Sequence, residues 1–262
     1  MLTLSLLRLP TRRIFMLRFF VYTLISLLLS ITANAADLAI LPVGLSLASS
    51  NAKGMITVSN RGKESIVIQA EAVSWTQENG KDQYAPTREL LVNPPLFTIL
   101  PGRSQILRVG LRQPPSFKQE TAYRLLLREV PPPLPSNTQI DEGKQGNVLV
   151  LLQVRLPVYI TPAAPLRILQ WQAQRNANGT VALKLSNTGN VHTLVSELKL
   201  RSADAATDSA PLATVKTNDV VFPGQGHNWE LSPQTKLQGQ RFILEVKTDR
   251  GQQNVPLDLG PP

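Results

Sequence analysis

The 262-residue chain has no cysteine and carries 27 Lys and Arg against 18 Asp and Glu, a formal net charge of +9. Without disulfides a small stapled fold is excluded, and a hydrophobic core must hold the structure together. Arg8, Arg12, Arg13 and Arg18 lie in the first 35 residues and no acid does, so 23 bases face 18 acids in the remainder. That excess favours acidic partners, and no aromatic cluster accompanies it, which sets nucleic acid aside.

Residues 1–35 read as a secretory leader. The four arginines form a basic start, Phe19 to Ile31 an apolar stretch, and Ala33-Asn34-Ala35 a small-x-small cleavage site. Translation could also begin at Met16. An uncleaved membrane anchor is the rival reading, but the apolar run is short for a span of roughly 20 residues. The chain from Ala36 onward is long enough for two domains of roughly 100 residues each.

A weak internal repeat runs through that remainder. Met55 to Gly62 and Val181 to Gly189 each carry a strand into Ser-Asn-x-Gly, where Asn and Gly suit the positive φ of a tight turn. Leu100-Pro101-Gly102 and Phe222-Pro223-Gly224 follow at corresponding places, each before a further strand. Short strands, frequent turn signals and little helical period predict an all-β fold of two immunoglobulin-like sandwiches. The boundaries expected are 36–161 and 162–262, with Thr161 to Pro165 as the hinge. In the first half, Leu107, Val109 and Leu111 share a face opposite Arg108 and Arg112. Tyr123, Leu125 and Leu127 likewise oppose Arg124 and Arg128. The apolar sets read as core, and the arginines as either solvated or gathered at a cleft.

Asn147 to Ile160 is the most informative stretch. From Leu152 it alternates: Leu152, Val154, Leu156, Val158 and Ile160 on one face, Gln153, Arg155, Pro157 and Tyr159 on the other. Before Leu152 it is apolar on both faces. Such a segment suits a strand in the middle of a core, yet Pro157 places it at an edge, where an apolar strand needs a cap. Either it is an ordinary core strand, or the cap is another protein chain.

Catalytic chemistry has little support. His192 and His227 are read as surface-turn residues rather than metal ligands, and no nucleophile elbow, zinc-binding helix motif or phosphate-cradling loop occurs. Trp75, Trp171 and Trp229 are too scattered in sequence to define a sugar-binding cleft, and Asn178-Gly179 reads as a hairpin turn. No metal or cofactor is expected.

Three motifs resemble the periplasmic pilus (fimbrial) chaperones of the PapD-like family. They are Ile56-Thr57-Val58-Ser59-Asn60; Val92-Asn93-Pro94-Pro95-Leu96-Phe97 with Leu100-Pro101-Gly102 and Leu107-Arg108-Val109; and Tyr123 to Pro132. Trp75-Thr76-Gln77 and Arg155-Leu156-Pro157-Val158 are most similar to the archaic chaperone–usher branch. The resemblance implies two immunoglobulin-like domains in a boomerang arrangement, exported to the periplasm. It implies a non-enzymatic role: capping incomplete pilus subunits with a lent strand and delivering them to an outer-membrane usher. A self-capped dimer is one option for the free protein. The lent side chains would be Val148, Val150, Leu152 and Val154, with the loop from Pro131 to Gly146 mobile until a subunit docks. In the family an arginine and a lysine hold the subunit's C-terminal carboxylate; the matching positions here are Gly44 and Pro157. Arg124 is the first alternative anchor, followed by Arg108, Arg128 and Arg155. The family's buried inter-domain arginine falls on Thr161, with Glu129 and Asp249 at the acid positions. Two other readings stand beside this one: an exported pilus subunit or adhesin, and a carbohydrate-binding module.

Overall fold

The computed structural model describes residues 37–260 apart from 49, 79, 114–117, 132–149 and 205–208. The leader, Val148 and nearly all of the loop after Pro131 lie outside the described residues. Among the described residues every regular element is a strand, and no helix is long and apolar enough to cross a membrane.

The first sandwich uses ten strands: β1 (Leu38–Leu41), β2 (Leu45–Ala48), β3 (Lys53–Asn60), β4 (Ile66–Glu78), β5 (Lys81–Pro86), β6 (Leu90–Asn93), β7 (Leu96–Ile99), β8 (Ser104–Leu111), β9 (Thr121–Glu129) and β10 (Gln153–Thr161). One sheet runs β1-β3-β8-β6. The other runs β2-β10-β9-β4-β5, with β7 pairing the start of β4. The alternation in β8 and β9 works as the sequence predicts: Leu107, Val109, Tyr123, Leu125 and Leu127 are buried in one core. Ile56, Val58, Ile68, Leu156, Val158 and Ile160 join them. Each such aliphatic side chain contributes roughly 1.5–3 kcal/mol by leaving water.

The second sandwich packs β11 (Leu169–Arg175), β12 (Val181–Asn187) and β15 (Gly226–Leu231) against β13 (Thr193–Ser202), β14 (Ala213–Val221), β16 (Arg241–Thr248) and β17 (Gly251–Asp258). Its core is built by alternate residues such as Val181, Leu183 and Leu185 of β12 and Phe242, Leu244 and Val246 of β16. Gly179, at φ 86°, turns the β11–β12 hairpin as its Asn-Gly pair predicts. Trp171 and Trp229 stack with ring centroids 5.7 Å apart. Their separation in sequence hid this, because β11 and β15 both flank β12. Trp229 is buried in the core.

The internal repeat is one hydrogen-bonding device used twice. Asn60 Nδ2 donates to the carbonyls of Glu64 (2.6 Å) and Ile99 (3.0 Å), while its Oδ1 accepts from Gly62 N–H at 2.9 Å. Asn187 Nδ2 donates to Val191 (2.8 Å) and Val221 (3.0 Å), and its Oδ1 accepts from Gly189 N–H at 3.1 Å. The Pro-Gly turns lock on in the same way, with Gly102 N–H on Asn60 O and Gly224 N–H on Asn187 O, both 2.8 Å. The motif therefore serves a different purpose from the turn expected. Gly62 and Gly189 are not among the glycines with positive φ. A Cβ on Gly189 would lie 2.3 Å from the Leu166 carbonyl oxygen, so glycine is needed there for close approach. Both asparagines are buried, and removing either leaves buried carbonyls without donors. Asn187→Ala should cost about 3 kcal/mol in urea unfolding, whereas exposed Thr188→Ala should stay within about 0.5 kcal/mol.

Candidate subunit-binding edge and the junction behind it

Strand β10 is covered on one side along its whole length and on the other along half of it. β9 pairs with it antiparallel from Gln153 to Ile160. On the opposite side β2 pairs in parallel only from Val158 to Thr161. Among the described residues nothing pairs on that side with Gln153 to Pro157, which consequently form an open edge. The Leu152 carbonyl accepts from Glu129 N–H at 2.9 Å, so even-numbered residues direct their backbone groups to β9. In an antiparallel pair the direction alternates, which turns the N–H and C=O groups of Gln153 and Arg155 outward. Pro157 has the same parity, and its missing N–H costs no ladder bond there.

The strand begins at Gln153, five residues later than the expected start at Val148. Val150 precedes it and is 82% exposed, Leu151 is 42% exposed and Leu152 is half-buried. Val154 packs against the margin of its own core. Of the segment expected to be apolar on both faces, Val150 to Leu152 are thus the approach to the strand. Within β10 the outer face carries Gln153, Arg155, Pro157 and Tyr159.

The anchor candidates divide between the sheets. Arg124, Arg128 and Arg155 share the outer face of the β10 sheet. Arg108 pairs with Met55 and Asn93 in the other sheet and does not join them. Arg128 is engaged by Glu71 at 2.9 Å. The Arg155 guanidinium lies 5.8 Å from the Tyr84 ring centroid. Arg124 stands opposite Pro157 in register, with its guanidinium carbon 3.5 Å above the Trp75 ring. Its Nε is buried without a hydrogen-bond partner among the described residues. Gly44 and Pro157 fit each other: a Cβ on Gly44 would lie 2.8 Å from the proline ring. Glycine and proline thus fill the two positions where the resemblance implies a cation pair, and Arg124 is the cation in the adjoining row.

A cleft of about 350 Å³ opens beside Arg124, lined also by Lys81 and Asp82 of the first sandwich and Asp219 and His227 of the second. Burial alone would raise the Asp82 carboxyl. The hydrogen bonds it accepts, including those from Gln77 (3.1 Å) and Tyr84 (2.9 Å), and the charge of Arg124 outweigh burial and hold it below its usual range.

The expected inter-domain acids do other work. Glu129 Oε2 accepts from Leu152 N–H at 3.0 Å, tethering the approach to β10. Asp249 accepts from Leu194 N–H and pairs with its neighbour Arg250, each at 3.1 Å. The acid at the junction is Glu120. Its Oε1 meets both the backbone N–H (2.9 Å) and Nδ1 (2.5 Å) of His192, and its Oε2 lies 3.5 Å from Thr161 Oγ1. His192 is buried, not on the surface as its sequence context suggested. Trp75, Ala122 and Tyr159 of the first sandwich pack with Phe222 of the second, the Trp75 and Phe222 rings meeting edge-on at 4.7 Å. Among the described residues no group of three His, Cys, Asp or Glu side chains could hold a metal ion.

Comparison with known proteins fits this geometry. Residues 38–165 match the model of the pili and flagellar-assembly chaperone, PapD N-terminal domain. No curated protein sequence matches the chain. Among solved structures, it is similar to the complex of chaperone and tip adhesion subunit from the archaic chaperone–usher Csu pili of Acinetobacter baumannii. That likeness has 19% identity and a TM-score of 0.56, over 86% of this chain and 100% of that one. The E. coli chaperone DraB gives 18% and 0.54, over 86% and 97%. The Salmonella enterica SafA pilin in complex with the SafB chaperone gives 15% and 0.55, over the same shares. With residues 38–165 matching the PapD N-terminal domain, the first sandwich belongs to that chaperone family, and the described chain shares its fold with the pilus chaperones.

Proposed function

We propose that this protein is a periplasmic chaperone that captures pilus subunits by adding its own β10 edge to their incomplete sandwiches. The observation carrying this reading is the open edge from Gln153 to Pro157, continued by exposed apolar residues before it. An incomplete sandwich needs a strand with free backbone donors and acceptors and apolar side chains at alternate positions. Gln153 and Arg155 present the backbone groups, and Val148, Val150, Leu152 and Val154 are the side-chain set proposed to enter the subunit groove. Each could contribute roughly 1.5–3 kcal/mol before the cost of ordering. The captured subunits would pass to an outer-membrane usher, and the free edge could be capped meanwhile by a second copy of the chain. No catalytic step is required.

Arg124 is the proposed anchor for the subunit's C-terminal carboxylate. Its place beside Pro157, at the inner end of the open edge, is where a strand paired to that edge would end. A guanidinium can take a carboxylate through two parallel N–H donors. The neighbouring Trp75 ring holds the guanidinium plane by cation–π contact. Arg128 is committed to Glu71, Arg108 is on the other sheet, and Arg155 remains the second choice.

Two experiments test the reading. Val150→Asp combined with Leu152→Asp should leave a folded chaperone that no longer co-purifies with a co-expressed pilus subunit. Unchanged co-purification overturns strand lending, and loss of folding favours a plain core-strand role. Arg124→Ala should weaken subunit capture roughly tenfold or more while lowering stability by about 1 kcal/mol through the lost stacking. Arg108→Ala should alter neither, as judged by binding titration and thermal melting.

A further inference from the structure

The second sandwich has an edge strand without the usual protection. β11 lies outermost in the order β11-β12-β15, and β12 pairs with it in unbroken register from Leu169↔Asn187 to Arg175↔Val181. Among the described residues no strand pairs on its other side. Soluble proteins blunt such edges with charges, proline, bulges or short strands. The other outermost strands of six residues or more do so: Lys81 and Asp82 stand in β5, Lys216 and Asp219 in β14, Glu230 in β15 and Pro256 in β17. β11 has no proline or glycine, and no charge before its last residue. That residue, Arg175, turns its guanidinium back onto its own sandwich, donating to Gly239 O at 2.8 Å.

The backbone of this edge is directed outward at alternate positions. Ile168 O, just before the strand, accepts from Thr188 N–H at 2.9 Å, and Asn176 N–H, just after it, donates to Thr180 O at 2.9 Å. Even-numbered residues therefore face β12. The alternation of an antiparallel pair turns the N–H and C=O groups of Leu169, Trp171, Ala173 and Arg175 to the free side. Side chains alternate as well. Gln170, Gln172 and Gln174 are exposed on the outer face, while Leu169, Trp171 and Ala173 pack at the margin of the core. An amide side chain both donates and accepts, so a row of three can pair with an identical row.

We propose that β11 is a self-association edge, at which two copies of the chain pair antiparallel about a two-fold axis at Gln172. The two three-stranded sheets then join into one continuous sheet. In this register Gln172 faces its own copy, Gln170 faces Gln174, and Trp171 faces Ala173, so each large side chain meets a small one. The outward backbone groups of Trp171 and Ala173 meet as hydrogen-bonded pairs. Gln172 falls in a non-hydrogen-bonded pair, where the Cα atoms approach to about 4.5 Å. The same surface serves both partners, as a two-fold interface requires. A second copy is the occupant that the strand itself specifies, because its amide row and its Trp–Ala step complement themselves. A single strand pair falls below the roughly 1,200 Å² of stable complexes, so association is weak and reversible. The proposal uses no residue of β10 and is independent of strand lending.

The test follows the purified protein by sedimentation velocity from about 1 to about 300 μM, a range that covers weak association. Wild type should pass from monomer to dimer. Gln172→Lys sets two ammonium groups against each other at the axis and should weaken the dimer several-fold or more. Gln172→Glu should do the same, and an equal mixture of the two variants should dimerise again. A wild-type protein that stays monomeric throughout overturns the inference. So does a dimer indifferent to Gln172→Lys, or a mixture that fails to restore association. A cross-linking measurement checks the register. The chain has no cysteine, and a disulfide needs Cα atoms about 4.4–6.8 Å apart. Under mild oxidation Gln172→Cys should therefore form a covalent dimer faster than the exposed control Gln252→Cys on β17. Equal rates for the two variants would also overturn the pairing.

Discussion

A strand edge left half open is the constraint on which the rest of this molecule depends. β2 covers β10 from Val158 onward and stops there, since Gly44 and Pro157 occupy the point where the two strands meet. Proline at that point has no N–H to pair, and glycine has no side chain to push the strands apart. Upstream, the outward backbone groups of Gln153 and Arg155 have no strand beside them among the described residues. An uncovered edge next to exposed Val150 and Leu151 would ordinarily invite aggregation. In the proposed function the same exposure serves capture of an incomplete sandwich.

Keeping such an edge open requires the remainder of the strand to be held firmly, and the structure meets that need three times over. The core face of β10 is locked by Leu156, Val158 and Ile160. Its outer face packs Tyr159 into the small cluster shared with Phe222 of the second sandwich. Its end is tied through Thr161 and Glu120 to His192. Gln77 reinforces the junction from β4, donating to the Val220 carbonyl at 2.8 Å. The second sandwich thus reaches β10 by way of its fixed end.

Much of this was legible in the residues, and what was not has a common cause. The duplicated Ser-Asn-x-Gly and Pro-Gly motifs are local, so the repeat and the two sandwiches could be read directly. Their purpose could not, because each buried Asn bonds a carbonyl more than 30 residues away. Pro157 marked the point where pairing on one side of β10 stops rather than an edge strand, since β2 lies beyond β10 in the sheet and a missing N–H is a local property. The parallel cover by β2 left no signal, as four residues are too few to show a period. His192 looked like a turn residue because its partner Glu120 is 72 positions earlier. Glu129 and Asp249 looked like the junction acids by motif position, yet their carboxylates are spent on nearby backbone N–H groups. Sequence patterns thus revealed what neighbours in the chain decide, and missed what folding brings together.

Backbone hydrogen exchange at Gln153 and Arg155 is the most direct measure of the open edge. In the free, monomeric protein both amides should exchange fast while those of Val154 and Leu156 are protected by β9, and both should become protected once a subunit is bound. Slow exchange at Gln153 and Arg155 in the free monomer, or no gain in protection in the complex, would contradict the account.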